Sequence, residues 1–175
     1  MSASVPSKRR NTGVRTVDPK VKDPGALLRD KKNVRLLRLL QENPRATVAE
    51  LARQVAMSSP AVKERLVRLE ESGVLQGYRA DLNPRALGYA ITAFVRVRPA
   101  PGRSKKIVEL AQAMPQVTEC HSVTGEDCFV LRIHVQDITR LDEVLDKLLA
   151  HGDTTTSIVR STPVPLRNLP IADAK

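Results

Sequence analysis

The sequence predicts an α+β protein made of two small domains, the first helical and the second with the element order β-α-β-β-α-β. Three observations support this fold class. Apolar residues recur at helical spacing between residues 30 and 70. From residue 91 they alternate with polar residues, as in a half-buried strand. The length of 175 residues is enough for one medium domain or two small ones.

The first two predicted helices are defined by their caps and by one apolar stripe each. Asp30 is a suitable N-cap for the first helix, and Asn43-Pro44 ends it. Thr47 begins the second helix, because Glu50 three residues later completes a capping-box pattern. The stripe residues are Val34, Leu37 and Leu40 in the first helix, with Leu36 beside them, and Leu51, Ala52 and Val55 in the second.

A third helix is predicted after the short connection at residues 56–58. Ser58 or Ser59 can cap it, and its first turn tolerates Pro60 because the N–H that proline lacks would be unpaired there. Residues 74–79 can then form a small hairpin, so the domain is predicted to be a helix-turn-helix, possessing a wing if this hairpin forms. The apolar stripe of the third helix consists of Val62, Leu66 and Leu69.

The second half contains four predicted strands and two predicted helices. The turn Gly125-Glu126-Asp127 is so short that the strands on either side of it should pair as an antiparallel hairpin. The element order is that of a split βαβ, ferredoxin-like domain. We expect strands at residues 91–98, 117–123, 129–135 and 157–164, and helices with apolar stripes at 107–114 and 138–148.

These elements divide the chain into five segments. The first is rich in Ser, Pro, Lys and Arg and has no apolar period, so we expect it to be disordered. Proline at position 84 disfavours helix before it, which indicates a linker. The segments are a disordered basic N-terminal arm at 1–29, a helix-turn-helix domain at 30–82, a linker at 83–90, a βαββαβ domain at 91–165 and a C-terminal tail at 166–175.

The charge favours a polyanionic partner. The formal net charge is +10, and residues 1–29 alone carry 7 basic and 2 acidic side chains. Such a balance suits nucleic acid or an anionic membrane surface. The arm can follow a phosphate backbone or simply solubilise the chain. With only two Phe, two Tyr and no Trp, the chain lacks the aromatic platforms of single-strand readers, so duplex DNA is the better target.

Other features limit the compartment and the cysteine chemistry. No stretch approaches the roughly 20 apolar residues of a membrane helix, and residues 1–10 lack a secretory apolar core. We therefore expect a cytoplasmic protein. Cys120 and Cys128 are too few for a disulfide framework, and we expect reduced, buried side chains there.

The helix-turn-helix pattern indicates how DNA would be read. Two short helices joined by a tight turn allow the second to enter the major groove while the first crosses the backbone. Arg68 and Lys63 suit phosphates or guanine edges, and Ser59 suits a base or phosphate oxygen. An ordinary solvated helix face is the alternative for each side chain. The candidate DNA-binding residues are Ser58, Ser59, Pro60, Lys63, Glu64 and Arg68, with Val67 on the same side.

The run from residue 30 to about residue 161 resembles the Lrp/AsnC (leucine-responsive regulatory protein) family of bacterial and archaeal transcriptional regulators. Two separate domains match in order, which makes the resemblance specific. The residues that carry it are Glu50-Leu51-Ala52, Met57 to Val62, Arg65 to Leu69, Glu70 to Leu75, Gly77-Tyr78, Leu87-Gly88 and Val123 to Cys128.

We expect no cofactor and no metal, because the sequence shows no phosphate-loop or clustered metal-ligand motif. The resemblance implies a regulator of double-stranded DNA. It further implies a RAM/ACT-like C-terminal domain whose sheet builds a homodimer, assembling into a tetramer or octamer. An amino-acid effector would bind between dimers beside the turn at residues 125–127. The family usually has an aromatic residue directly after the turn aspartate; here Cys128 follows and then Phe129, which implies a different pocket shape.

The chemistry of this turn suits an amino acid. Asp127 can accept hydrogen bonds from an α-ammonium group, while turn N–H groups and nearby hydroxyls can hold a carboxylate. Ordinary turn chemistry is the alternative reading of Gly125 and Asp127. The candidate effector-binding residues are Thr124, Gly125, Glu126, Asp127, Thr155 and Ser157.

Two other functions remain open at this point. One is an architectural protein that compacts DNA without a ligand, with a steep salt dependence and a low specificity ratio. The other is a decarboxylating enzyme of haem biosynthesis, in which Arg132, His134 and His121 would bind propionates. These three residues alternate along strands, and the sequence shows no nucleophile, phosphate-loop or metal-ligand motif. We therefore predict that the protein is not an enzyme.

Overall fold

The computed structural model describes residues 24–172, which divide into two compact units. The helical unit ends at Arg79 and also includes the segment that begins at Leu166. The sheet unit spans Ala80–Pro165. No helix in this described range is long and apolar enough to cross a bilayer.

Among its described residues, the helical unit contains four helices around one apolar core. Its caps are those expected from the sequence. Asp30 accepts hydrogen bonds from the backbone of α2, Thr47 and Glu50 form the capping box of α3, and Ser58 caps α4. The helices are α1 (Pro24–Leu27), α2 (Lys31–Glu42), α3 (Val48–Val55) and α4 (Ser59–Glu71). The core consists of Leu36, Leu39, Leu40, Leu51, Ala52, Val55, Val62 and Leu66.

The prediction that residues 1–29 are disordered is wrong for Pro24–Leu27, which form α1. Residues 1–23 lie outside the described residues. Four residues are too few to show an apolar period. A contact beyond the arm helps to hold α1, because Asn33 Nδ2 donates a hydrogen bond to the Leu27 carbonyl at 2.9 Å.

The predicted wing is also absent, because residues 74–79 form no strand. Leu75 instead donates its backbone N–H to the carbonyl of Leu69 at 2.9 Å and packs against the helical core. Leu75, at the start of the expected hairpin, therefore belongs to the C-terminal ending of α4.

The sheet unit is a four-stranded antiparallel sheet with strand order β2-β3-β1-β4, which confirms the ferredoxin-like topology and the β2–β3 hairpin. Both helices pack on one face of the sheet. Along β1, Ala93, Val95 and Val97 are fully buried on that face. The elements are β1 (Ile91–Pro99), α5 (Ser104–Ala113), β2 (Val117–Ser122), β3 (Phe129–Val135), α6 (Ile138–Leu149) and β4 (Gly152–Ile158).

Three details of the sheet unit differ from expectation. The last strand was predicted at 157–164 but occupies Gly152–Ile158, where it pairs with β1. A side chain at Gly152 would lie 2.3 Å from the Arg98 carbonyl, so this close approach requires glycine. Ile138 is exposed at the start of α6. Cys120 is exposed because β2 is an edge strand, so its predicted burial is wrong.

Candidate DNA-binding and effector sites

The turn between α3 and α4 fixes how the second helix is presented. Ala56 ends α3 in the left-handed conformation, with φ +50°. Its N–H points at the Ala52 and Arg53 carbonyls, and the N–H of Met57 donates to Ala52 at 3.0 Å. These bonds form a Schellman-type ending, and Met57 packs against the helical core. Because the turn is both bonded and packed, α4 is held firmly against α3.

All six predicted DNA-binding residues are exposed on α4 or at its start. The opposite side of the helix is buried by Val62, Leu66 and Leu69. The Ser58 hydroxyl accepts a hydrogen bond from the Ala61 backbone at 3.4 Å, and its own proton remains available to donate. The exposed residues are Ser58, Ser59, Pro60, Lys63, Glu64 and Arg68.

Glu64 and Arg68 form an ion pair one helical turn apart. Both side chains are more than half exposed, and exposed pairs of this kind contribute only about 0 to 1 kcal/mol. A nucleic acid can therefore recruit the Arg68 guanidinium at little energetic cost.

A surface cavity of about 870 Å³ lies where α3 meets the start of α4. Arg53, Ser58 and Ser59 line it together with small apolar side chains. The N–H groups at the start of a helix favour anions, so this corner suits a phosphate. Arg53 was missed by the sequence analysis because a basic residue on the polar side of a short helix is an unspecific signal.

A second residue missed by the sequence analysis holds α4 in place from the other side. Arg65 Nη1 donates to Asp30 Oδ2 at 2.5 Å and to Asn33 Oδ1 at 2.8 Å. The hydrogen bond from Arg65 lowers the pKa of the Asp30 carboxyl. Because Asp30 also caps α2, this network joins α4 to the start of α2. No local pattern links positions 35 apart, so the sequence showed Arg65 only as part of a family motif.

The predicted effector turn is tied to β1 by two arginines. Arg96 Nε lies 3.5 Å from Asp127 Oδ2, and Arg98 Nη2 lies 2.7 Å from Glu126 Oε2. Arg98 Nε also donates to the Glu126 carbonyl at 3.2 Å. Asp127 is half-buried, whereas Thr124, Gly125 and Glu126 are exposed. The sequence signal for these arginines was their alternation with buried residues along β1.

The two predicted β4 residues lie on the outer face of the sheet, away from the helices. Thr155 pairs with Arg96 and Ser157 pairs with Phe94, and both β4 side chains are exposed. β1 separates β4 from β3, so Thr155 lies roughly 10 Å from the strand that follows the turn. Asp127, Arg96 and Thr155 thus follow one another across the outer face of the sheet. Ser157 lies two residues further along β4, and Thr124 lies in the exposed loop before β3.

Both units match models of known families. Residues 30–70 match the AsnC-type helix-turn-helix domain, and residues 92–169 match the Lrp/AsnC ligand binding domain. The chain belongs to the Lrp/AsnC family. Together the two matches cover more than half of this Lrp/AsnC protein, in the order in which the two units occur.

Relatives of this Lrp/AsnC protein include two named regulators. It is 35% identical over 130 residues to the HTH-type transcriptional regulator LrpA of Mycobacterium tuberculosis, across 73% of this chain and 87% of that protein. It is also 35% identical over 131 residues to the leucine-responsive regulatory protein of Rhizobium meliloti, across 73% of this chain and 84% of that protein. The chain is therefore a helix-turn-helix transcriptional regulator and not an enzyme.

A solved structure of the same family carries an amino acid. The crystal structure of a transcriptional regulator from Neisseria meningitidis, in complex with L-methionine, matches with 32% identity and a TM-score of 0.74. The match covers 81% of this chain and 96% of that chain.

Each residue that raised the enzyme alternative contacts a neighbouring side chain in this Lrp/AsnC chain. Arg132 Nη1 donates to Glu119 Oε1 at 3.1 Å, and His121 lies 3.4 Å from the same carboxyl group. His134 Nδ1 lies 2.9 Å from the Thr92 hydroxyl, and burial lowers the pKa of His134. Among the described residues, no group of three side chains could hold a metal ion. These contacts within the chain account for most of the polar groups on the outer sheet face, apart from Arg132 Nε, which is buried and makes no hydrogen bond within the described residues.

Proposed function

We propose that this regulator binds specific double-stranded DNA as a homodimer, with α4 in the major groove, and that an amino acid bound beside the turn at residues 124–127 modulates the binding. The observation that supports DNA reading is the exposed face of α4. That face is aligned by the bonded turn at Ala56 on one side and by the Arg65 network on the other.

The residues on α4 divide into two chemical classes. Ser58 and Ser59, with Arg53 beside them, surround the start of the helix and suit phosphate oxygens. Further along, Arg68 suits a guanine edge and Glu64 suits the amino group of cytosine. Their exposed ion pair is weak, so both side chains can exchange it for contacts with DNA.

The uncovered face of the sheet supports a dimer. Phe94 lies on the central strand β1, yet its side chain is 42% exposed in the single chain. Arg132 Nε is buried and makes no hydrogen bond within the described part of the chain. A second copy packed on this face would cover Phe94 and could supply an acceptor to Arg132. A C2 dimer would present two α4 helices to half-sites about one helical turn, or a multiple of it, apart. Assembly of such dimers into a tetramer or octamer would bend the DNA.

The effector would exploit the Arg96–Asp127 pair. The separation of 3.5 Å is longer than that of a close ion pair, and Arg96 is about half exposed. A zwitterion can replace this contact, with its α-ammonium on Asp127 and its carboxylate on Arg96 and the Thr155 hydroxyl. Thr124, Gly125 and Glu126 are exposed in one chain, which suits a site completed by another dimer. The related L-methionine complex supports an amino acid as the ligand class.

The test is fluorescence anisotropy on DNA from upstream of the protein's own gene, at near-physiological salt, against a shuffled competitor. We expect a preference of about a thousandfold or more, shifted by at least one amino acid of a panel. Equal affinity for both DNAs would overturn the proposal and favour a ligand-independent architectural protein.

Arg68→Ala should weaken binding to the specific DNA by about 1 to 3 kcal/mol if Arg68 contacts a base. Arg140→Ala is the matched control, because Arg140 forms a similar exposed ion pair within α6 of the sheet unit. An unchanged affinity for Arg68→Ala would remove this residue from the interface.

Asp127→Ala should abolish the response to the amino acid and leave folding and basal DNA binding unchanged. Asp146→Ala, an exposed change on α6, should leave the response intact. Loss of assembly in the Asp127 variant would show instead that the turn is structural.

A further inference from the structure

The segment after residue 167 lies against α2 of the helical unit. Arg38 Nη2 donates to the Ile171 carbonyl at 2.9 Å, and Gln41 Nε2 donates to the Leu169 carbonyl at 3.0 Å. Asn168 Nδ2 returns a hydrogen bond to the Gln41 carbonyl at 3.5 Å. Carbonyls two residues apart point the same way in an extended chain, so two side chains of α2 bind alternate peptide groups of the segment.

The same segment forms one wall of a cavity of about 890 Å³ in the helical unit. The other walls are mainly apolar and come from the end of α1, from α2 and from the residues after α4. Ile171 is half-buried, whereas Leu169 two positions earlier is 82% exposed. Side chains on the other walls include Leu28, Leu37, Leu40, Val74, Leu75 and Tyr78.

We propose that this groove is a peptide-binding surface whose partner is the chain's own segment Asn168–Ala172. The docked segment is a second connection between the units, additional to residues 80–90. Only residues 159–167 separate it from the end of β4. The segment lies within the predicted C-terminal tail at 166–175, whose last three residues are outside the described residues.

A second connection restricts the freedom of the helical unit. A dimer loses less orientational freedom on binding two half-sites when its helical units are already restrained. The docked segment should therefore raise affinity for DNA that carries two half-sites and leave affinity for a single half-site unchanged. This consequence rests on the proposed dimeric DNA binding, whereas docking itself does not.

Trypsin cleavage of the full-length protein, followed by mass spectrometry, tests the docking. Cleavage after Arg167 requires Asn168 and the residues after it to leave the groove, whereas cleavage after the exposed Arg160 does not and serves as an internal reference. We expect Arg38→Ala to accelerate cleavage after Arg167 by about tenfold, the effect of losing a charged hydrogen bond. Arg35→Ala, an exposed change on the same helix, should have no effect.

DNA binding provides the second measurement. Ile171→Ser should weaken binding to a two-half-site duplex by about fivefold, because the half-buried apolar side chain of Ile171 is lost from the groove. It should not affect binding to a single half-site duplex. Leu169→Ser is the matched control and should affect neither.

Cleavage after Arg167 in the wild type as fast as after Arg160 would overturn the docking. If Ile171→Ser weakens binding to both duplexes equally, the proposal that the docked segment restrains the helical unit is wrong. If the wild type shows no specific DNA binding, the proposed function fails while the cleavage experiment still decides the docking.

Discussion

Replacing Arg65 by Met tests whether this side chain positions α4. Met retains an apolar stem of similar length but cannot bond to Asp30 or Asn33. We expect the helical unit to lose about 2 kcal/mol of stability, while the sheet unit is unaffected.

The magnitude follows from the burial of the two partners. Asn33 is only 4% exposed, so the loss of a donor to its Oδ1 leaves a buried acceptor unpaired, which costs about 1 to 3 kcal/mol. The Asp30 side chain is 38% exposed, so solvent screens its ion pair and limits that contribution to less than about 1 kcal/mol. The buried amide therefore dominates the expected loss.

Native-state hydrogen exchange measures this effect unit by unit. A loss of about 2 kcal/mol should accelerate exchange of the most protected amides of α2, α3 and α4 by about 30-fold, with no change in the sheet unit. Arg68→Met is the matched control on the same helix, because the Arg68 pair is exposed and should change exchange less than about threefold. Equal effects of the two substitutions would refute the reasoning.

Two further predictions concern the same unit. Ala56→Gly should stabilise it by up to about 1 kcal/mol, because Ala56 has φ +50°. Ala49→Gly, at the second residue of α3, should instead destabilise it by less than about 1 kcal/mol. Urea titration followed by circular dichroism measures both changes, and destabilisation by both would contradict the strain at Ala56. The pKa of Asp30 is lowered by Arg65, so the stabilisation is present above about pH 4, the ordinary carboxyl value, and is lost as the pH falls through the folded-state pKa. The difference in stability between wild type and Arg65→Met should accordingly shrink between pH 6 and pH 2.5, and a constant difference would disprove the linkage.

Local sequence signals were sufficient for most elements of the fold. The three N-caps, the alternation along β1 and the short turn between β2 and β3 each act over a few residues, and each predicted the correct element. β4 was misplaced because a threonine run has no apolar alternation. Its position is decided by pairing with β1 and by the close approach of Gly152 to the Arg98 carbonyl.

The candidate sites were predictable only in part, because some of their contacts depend on tertiary packing and not on local sequence. Helical period alone placed Lys63 and Arg68 on the open side of α4, although their binding roles remain predictions. The pairs Arg65–Asp30 and Arg96–Asp127 join positions more than 30 residues apart. Such contacts depend on how helices and strands meet, which no spacing in the sequence reveals.

The division of the chain has a consequence for the order of folding. Residues on both sides of the sheet unit build the helical unit, so the sheet unit is an insertion within it. Domains fold in the order in which synthesis delivers them. The helices can associate early, but the segment after Leu166 reaches its groove only after the whole sheet unit has been made. Until then the apolar wall formed by Leu37, Leu40 and Leu75 lacks the contact with this segment, which leaves the nascent chain an apolar surface open to aggregation.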